Sequence, residues 1–417
     1  MRCFDAVVTK KSLMVLASFL LVAGFLIAPQ GQAGAAPKFK HPGVLVTRAQ
    51  LNHVRARLKR KPFKQAFAAL KKDPLASLKA KPHPWARSIC QPYGAGSNGG
   101  CRAELHDANA AYATALMWYL TRDRRYLAKS AQYMNSWSRT LKERGGGDAP
   151  LQAGWAAISW TRAAEIARYS LPKKVKWKTA GRFENMLRKY YLPWTINGFH
   201  DFGMNGNWDL ALADATVGMG VFLDDRRVFD QGIKVMRSRV PAYFYLRSDG
   251  ARPHPPTPPV QDLDAYWYQP CSETIDPGEP EDAKRPCAGG QHVHYLNGQT
   301  QETCRDRLHA TYGIAAVMQL AQTAKIQGRD LFTELRPRVT AASELTSRLN
   351  LSGVPANLCG GKISTATGPP ASAFEIVWRE YHEKVDLPWT KRMVLKQRPG
   401  TVHEFVAWET LTNARAA

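Results

Sequence analysis

From about residue 100 onward, apolar positions recur at helical spacing, and strand-like alternation is scarce. The spacing predicts helices over 105–120 and 126–141, over 151–169 and 180–191, over 208–223 and 228–243, and over 304–326 and 331–349. Ahead of these, Thr47 is placed to cap a basic amphipathic stretch over 48–70 that Pro62 interrupts. Three of the helix pairs turn on similar residues: Arg122-Asp123-Arg124, Asp224-Asp225-Arg226 and Gly328-Arg329-Asp330. A helical hairpin cannot bury its apolar face alone, so repeated hairpins must stack. They predict an all-α architecture, either an open solenoid or an (α/α) toroid (an incomplete α/α barrel) with a cleft at one end. Between 249 and 300 the helical period vanishes into a Pro-, Gly- and aromatic-rich loop holding Tyr266, Trp267, Tyr268, His292, His294 and Tyr295. So long a loop in a compact domain is a place to expect function.

The first 36 residues follow another pattern. Arg2, Lys10 and Lys11 precede an apolar run over 12–29 and a small-residue tail ending at Ala36, the form of a secretory signal peptide. The expected organisation is therefore a signal over 1–36 and a single domain over 37–417, secreted or periplasmic, with no stable membrane insertion after cleavage. Six cysteines remain beyond it, an even number that reads as disulfides in an exported chain, with Cys90–Cys101, Cys271–Cys287 and Cys304–Cys359 the preferred pairing. No Cys-x-x-Cys spacing supports a metal site, and the His292/His294 pair lacks a carboxylate at ligand spacing; neither metal nor cofactor is expected.

Composition narrows the partner. With 44% apolar and 10% aromatic residues the chain can build a large core, which excludes disorder as its main state. Its 58 Lys+Arg against 34 Asp+Glu leave a net charge of +24, which calls for a polyanion. Export makes nucleic acid a poor partner and an acidic polysaccharide a good one; oligomeric state is left open.

Three clusters carry candidate chemistry. Asn207, in Asn205-Gly206-Asn207-Trp208-Asp209, stands at a helix start, where it reads either as a cap or as an amide donor to a carboxylate. In Gln301-Glu302-Thr303-Cys304-Arg305-Asp306-Arg307-Leu308-His309, followed by Tyr312, a continuous helix would put Arg305, His309 and Tyr312 on one face with Glu302 a turn earlier. The turn Ser248-Asp249-Gly250 presents His254. Trp155 and Trp208 are candidates to stack on sugar rings, Glu302 to contact the substrate, and Tyr266, His294 and Tyr295 to line it from the long loop.

These motifs resemble the alginate lyase family of secreted polysaccharide lyases, in the broad sense that includes polymannuronate and glucuronan lyases. The resemblance starts at His41-Pro42-Gly43-Val44-Leu45-Val46-Thr47 and continues through Tyr119-Leu120-Thr121-Arg122-Asp123 and Asn207-Trp208. It is strongest over 301–309 and returns at Phe374-Glu375-Ile376-Val377-Trp378. It implies an α/α toroid and β-elimination on uronic acid polymers without an obligatory metal. Asn207 and Arg305 match the groups that neutralise the uronate carboxylate. Where some members carry Asn-Asn-His, this chain has Asn205-Gly206-Asn207, which leaves the histidine role to His254 or His309, and the tyrosine role to Tyr312 or a loop tyrosine. Two other classes stay in view: a glycoside hydrolase using two of Asp209, Glu302, Asp306 and Glu375, and a polyanion-binding protein without catalysis.

Overall fold

The computed structural model describes residues 38–92, 99–172, 177–197, 206–257, 295–356 and 372–415, with single positions 259, 263, 267, 358, 359 and 363. The expected signal peptide, Tyr266, His294 and the Cys271–Cys287 pair lie outside them.

In chain order the helices are α1 (Arg48–Ala56), α2 (Phe63–Lys72), α3 (Gly99–Thr121), α4 (Arg124–Thr140), α5 (Ala149–Tyr169), α6 (Ala180–Tyr190) and α7 (Leu192–Thr195). There follow α8 (Asn207–Phe222), α9 (Arg226–Tyr243), α10 (Arg307–Ile326), α11 (Phe332–Ser352), α12 (Glu375–Tyr381), α13 (Pro388–Gln397) and α14 (Glu409–Asn413). Two small sheets join them: β1 (Arg87–Ile89) pairs in parallel with β2 (Glu143–Gly145), and β3 (Val402–His403) pairs antiparallel with β4 (Val406–Ala407).

The hairpin repeat is real and has a local cause. Arg122, Asp224 and Gly328 all take left-handed backbone (φ 64, 53 and 86), which ends one helix of each pair. An aspartate then opens the next helix: Asp123 accepts from the Arg125 N–H, Asp225 from Val228 and Asp330 from Phe332. The first helix of each pair is buried nearly all round: α3, α5, α8 and α10 carry apolar and small residues on every face. Their partners α4, α6 and α9 are amphipathic and form the outer layer.

The inner helices run side by side in the same direction. Asn109 of α3 accepts from Ser159 of α5, and Gly154 of α5 lies against Leu212 of α8. Arg162 of α5 reaches Asp214 of α8 and Gln319 of α10. The elements after α11 complete the ring between α10 and α3: α12 packs on α10, α14 on α12 and α1, and α1 on α3. The axis is plugged by polar groups, Arg162 donating to the Phe405 carbonyl and Gln319 to Glu409. Residues Phe39–Ala417 form one compact unit, and no described helix is long and apolar enough to cross a membrane.

Two disulfides are formed as expected from the sequence, Cys90–Cys101 and Cys304–Cys359. One expectation is corrected. The helix taken to start at 304 starts at Arg307, because Asp306 turns extended and caps it by accepting from the His309 N–H. Glu302 and Arg305 therefore sit in the turn before α10, not on its face.

Candidate active site

Parallel inner helices bring four helix N-termini to one end of the ring, an arrangement that favours anions. At that end α8 begins against the 301–305 turn. Gly206 takes φ 80, and a side chain there would meet the Glu302 carboxylate at 2.9 Å. Its absence lets Glu302 close on the start of α8, where it accepts from the Asn207 N–H at 2.8 Å and from Asn207 Nδ2 at 3.0 Å. Tyr243 Oη donates to the same carboxylate at 3.0 Å, and Arg305 Nη1 donates at 2.9 Å. Burial and the Glu302 charge keep the Tyr243 phenol protonated. Glu302 is thus a buried hub whose charge aligns Asn207, Tyr243 and Arg305. The amide donor of Asn207 is spent on it, while its buried Oδ1 has no hydrogen-bond partner among the described residues. Cys304 ties this turn to Cys359.

The next layer is on α10. Asp306 holds His309 through Nδ1 at 2.5 Å. Burial opposes the Asp306 charge, but its bonds to His309 prevail and hold the carboxyl below the usual range. One turn on, Tyr312 points its hydroxyl at His403 Nδ1, 2.5 Å away. Burial, then the Glu404 and Asp306 carboxylates, push the Tyr312 phenol well above its ordinary value. Burial and the neighbouring His309 pull His403 down. At neutral pH the pair is therefore a phenol donating to a neutral imidazole. The rings of Trp155 and Phe405 stand 5.7 and 5.4 Å from that of Tyr312, and His309 meets it edge-on at 5.9 Å. The Trp155 indole N–H is buried without a partner among the described residues.

So the structure brings Asn207, Glu302, Arg305, His309, Tyr312 and Trp155 to one end of the ring. Trp208 is half-buried against the core. Tyr295 packs on Trp267 and Tyr245. His254, largely exposed, pairs with Asp249, which Arg338 grips with both nitrogens. Sequence reasoning missed His403. It lies in a two-residue strand, 91 residues from Tyr312, with no periodicity to mark it; its only signal was a histidine in a short Val-rich segment.

The chain is thus an all-helical ring with an arginine, a histidine and a phenol gathered at one end. The sequence profile of the alginate lyases matches residues 60–254 of the chain. Among solved structures, alginate lyase A1-III from Sphingomonas species A1 is 14% identical and aligns over 92% of this chain and 100% of its own, with a TM-score of 0.59. A histidine-to-alanine variant of A1-III complexed with tetrasaccharide aligns over 93% and 99% at 14% identity, with a TM-score of 0.61. A tyrosine-to-phenylalanine variant, also complexed with tetrasaccharide, aligns over 91% and 97% at 14% identity, with a TM-score of 0.60. At that identity the likeness is one of fold. No curated protein sequence matches the chain.

Proposed function

We propose that the protein cleaves a uronic-acid polymer of the alginate or glucuronan type by β-elimination, with Tyr312 moving the proton at the reacting carbon. The observation that carries this reading is the Tyr312–His403 hydrogen bond within the cluster that holds Arg305. The C5 hydrogen of a uronate is only weakly acidic while the neighbouring carboxylate is ionised. Arg305, aimed by Glu302, neutralises that carboxylate and stabilises the enolate-like intermediate. Tyr312 passes its proton to neutral His403 and takes the C5 proton in its place. The electron pair left behind forms the C4–C5 double bond as the C4–O4 bond breaks, and the departing O4 takes up a proton from Tyr312 or from His309. His309, oriented by Asp306, is the second proton-transfer group. Trp155 offers an aromatic face and an indole N–H to the sugar. Two of the A1-III structures are complexed with tetrasaccharide, which supports a polysaccharide substrate. The charge of +24 supports an acidic polysaccharide as substrate, and the two disulfides and the apolar leader support export.

The hydrolase alternative needs two acids facing one bond. Each acid named for it is engaged elsewhere: Asp209 with Arg239, Glu302 with Asn207 and Arg305, Asp306 with His309, and Glu375 with Arg398. The test is a panel of polymannuronate, polyguluronate, glucuronan and hyaluronan, read by the absorbance of the unsaturated uronate. The reading predicts signal on at least one polymer, abolished in Y312F and R305A; silence across the panel overturns it.

A further inference from the structure

We propose a second site, unconnected with the cleft chemistry: a binding site for a late first-row divalent metal such as zinc, formed by His83, His106 and Asp107. One ligand atom from each lies within 4.8 Å of the others. His106 Nδ1 is 3.2 Å and His83 Nδ1 3.8 Å from Asp107 Oδ1. A tetrahedral ion with arms of about 2.1 Å sets its ligands about 3.4 Å apart, so the two measured separations bracket what such an ion requires.

The carboxylate is set up for the task. Asp107 lies fully buried on α3, and its other oxygen is already occupied, accepting from Trp137 Nε1 at 2.7 Å and from the His83 backbone N–H at 2.6 Å. Those two donors fix the carboxylate plane and leave Oδ1 turned toward the imidazoles, the role that supporting hydrogen bonds play around metal ligands. Among the described residues the ion-pair partners of Asp107 are these two imidazoles, and a divalent ion would place a full positive charge beside the buried carboxylate. Both histidines are exposed, at 63% and 48% of the side chain, so an ion has access. Two nitrogens and one oxygen suit zinc, nickel, copper or cobalt, and not calcium or magnesium, which prefer oxygen throughout. His83 belongs to the irregular stretch between α2 and β1, and His106 and Asp107 to the first turns of α3. The ion would therefore staple that stretch to an inner helix. The proposal stands whether or not the lyase reading does.

The test uses the full chain with any affinity tag removed and all metal stripped by a chelator, titrated with zinc by calorimetry. The expected result is one zinc per chain, weakened at least about tenfold in H83Q and in H106Q. Calcium and magnesium should give no heat. Zinc should raise the melting temperature of the wild type and leave that of the double variant unmoved. Both glutamine variants keep Asp107 and its two donors, and an unchanged melting temperature without metal shows that the fold is intact. Zinc bound equally well by wild type and both variants, or not at all by the wild type, overturns the proposal.

Discussion

Tyr312 and His403 show how burial assigns a role to a residue. A phenol at its ordinary value would already be a poor base at neutral pH, and burial beside Glu404 and Asp306 makes it poorer. In the proposed mechanism it becomes useful because the acceptor at its hydroxyl is an imidazole that burial and His309 keep neutral. Y312F removes the transferable proton and leaves the ring that packs on Trp155 and Phe405. It should cost about 10²–10⁴-fold in kcat with the melting temperature nearly unchanged, as steady-state assays and a thermal melt would show. The imidazole also sets the pH profile. Since His403 is held below the ordinary histidine value of 6.5, the acid limb of kcat/KM should fall below that pH, and in H403Q the limb should vanish along with most of the rate. A limb at the same pH in both proteins would remove His403 from the mechanism. Reading the chain alone, Arg305, His309 and Tyr312 were visible because they share one short segment. Glu302 was visible too, but as a substrate contact. Its place as the hub beneath Asn207 depends on Gly206 leaving room for it, a packing fact no spacing rule contains.

At the scale of elements, the helices and their caps were legible because each follows from local chemistry: apolar spacing, then a left-handed residue, then an aspartate. D225A should lower stability by about 1 kcal/mol through loss of the cap, measured by urea denaturation with activity retained. The start of α10 was not legible, since Asp306 competes with the apolar period for control of the boundary and wins by capping. The 301–305 turn has no period of its own and is held by the Cys304–Cys359 bond and the Glu302 hub. Paired C304S/C359S should therefore lower kcat/KM more than it lowers the melting temperature. The hairpin of β3 and β4 was illegible for a related reason: strands of two residues show no alternation. At the opposite end of the ring, His41 pairs with buried Glu165 at 2.9 Å and with Asp224 at 3.2 Å. Burial opposes the His41 proton, yet the two carboxylates prevail and raise its value, while burial raises Glu165. His41 binds its proton more tightly folded than unfolded, so its stabilisation is fully present below the unfolded histidine value of 6.5 and fades as pH rises through the raised one. The melting temperature of the wild type should exceed that of H41A most at about pH 6 and least at about pH 9; a gap that widens with pH would refute this.

For the whole molecule, the proposed function has the excess of cationic side chains and the four helix N-termini act together on a polyanion arriving from solution. Screening should weaken that attraction as the Debye length shrinks from ~30 Å at 0.01 M salt to ~8 Å at 0.15 M, so kcat/KM should fall with salt while kcat at saturation stays nearly level. Stacked helical hairpins and charge were both readable from the chain, because one depends on a repeat and the other on composition, whereas closure into a ring came from the family resemblance. The convergence of α5, α10 and the β3–β4 hairpin on one side-chain cluster was not, since it joins residues far apart in sequence. The central claim is that the sugar chain is cut by elimination. Cleavage carried out in heavy-oxygen water and read by mass spectrometry tests it most directly. The account predicts products bearing a carbon–carbon double bond and no heavy oxygen; one heavy oxygen gained at each cut, with no double bond formed, would contradict it.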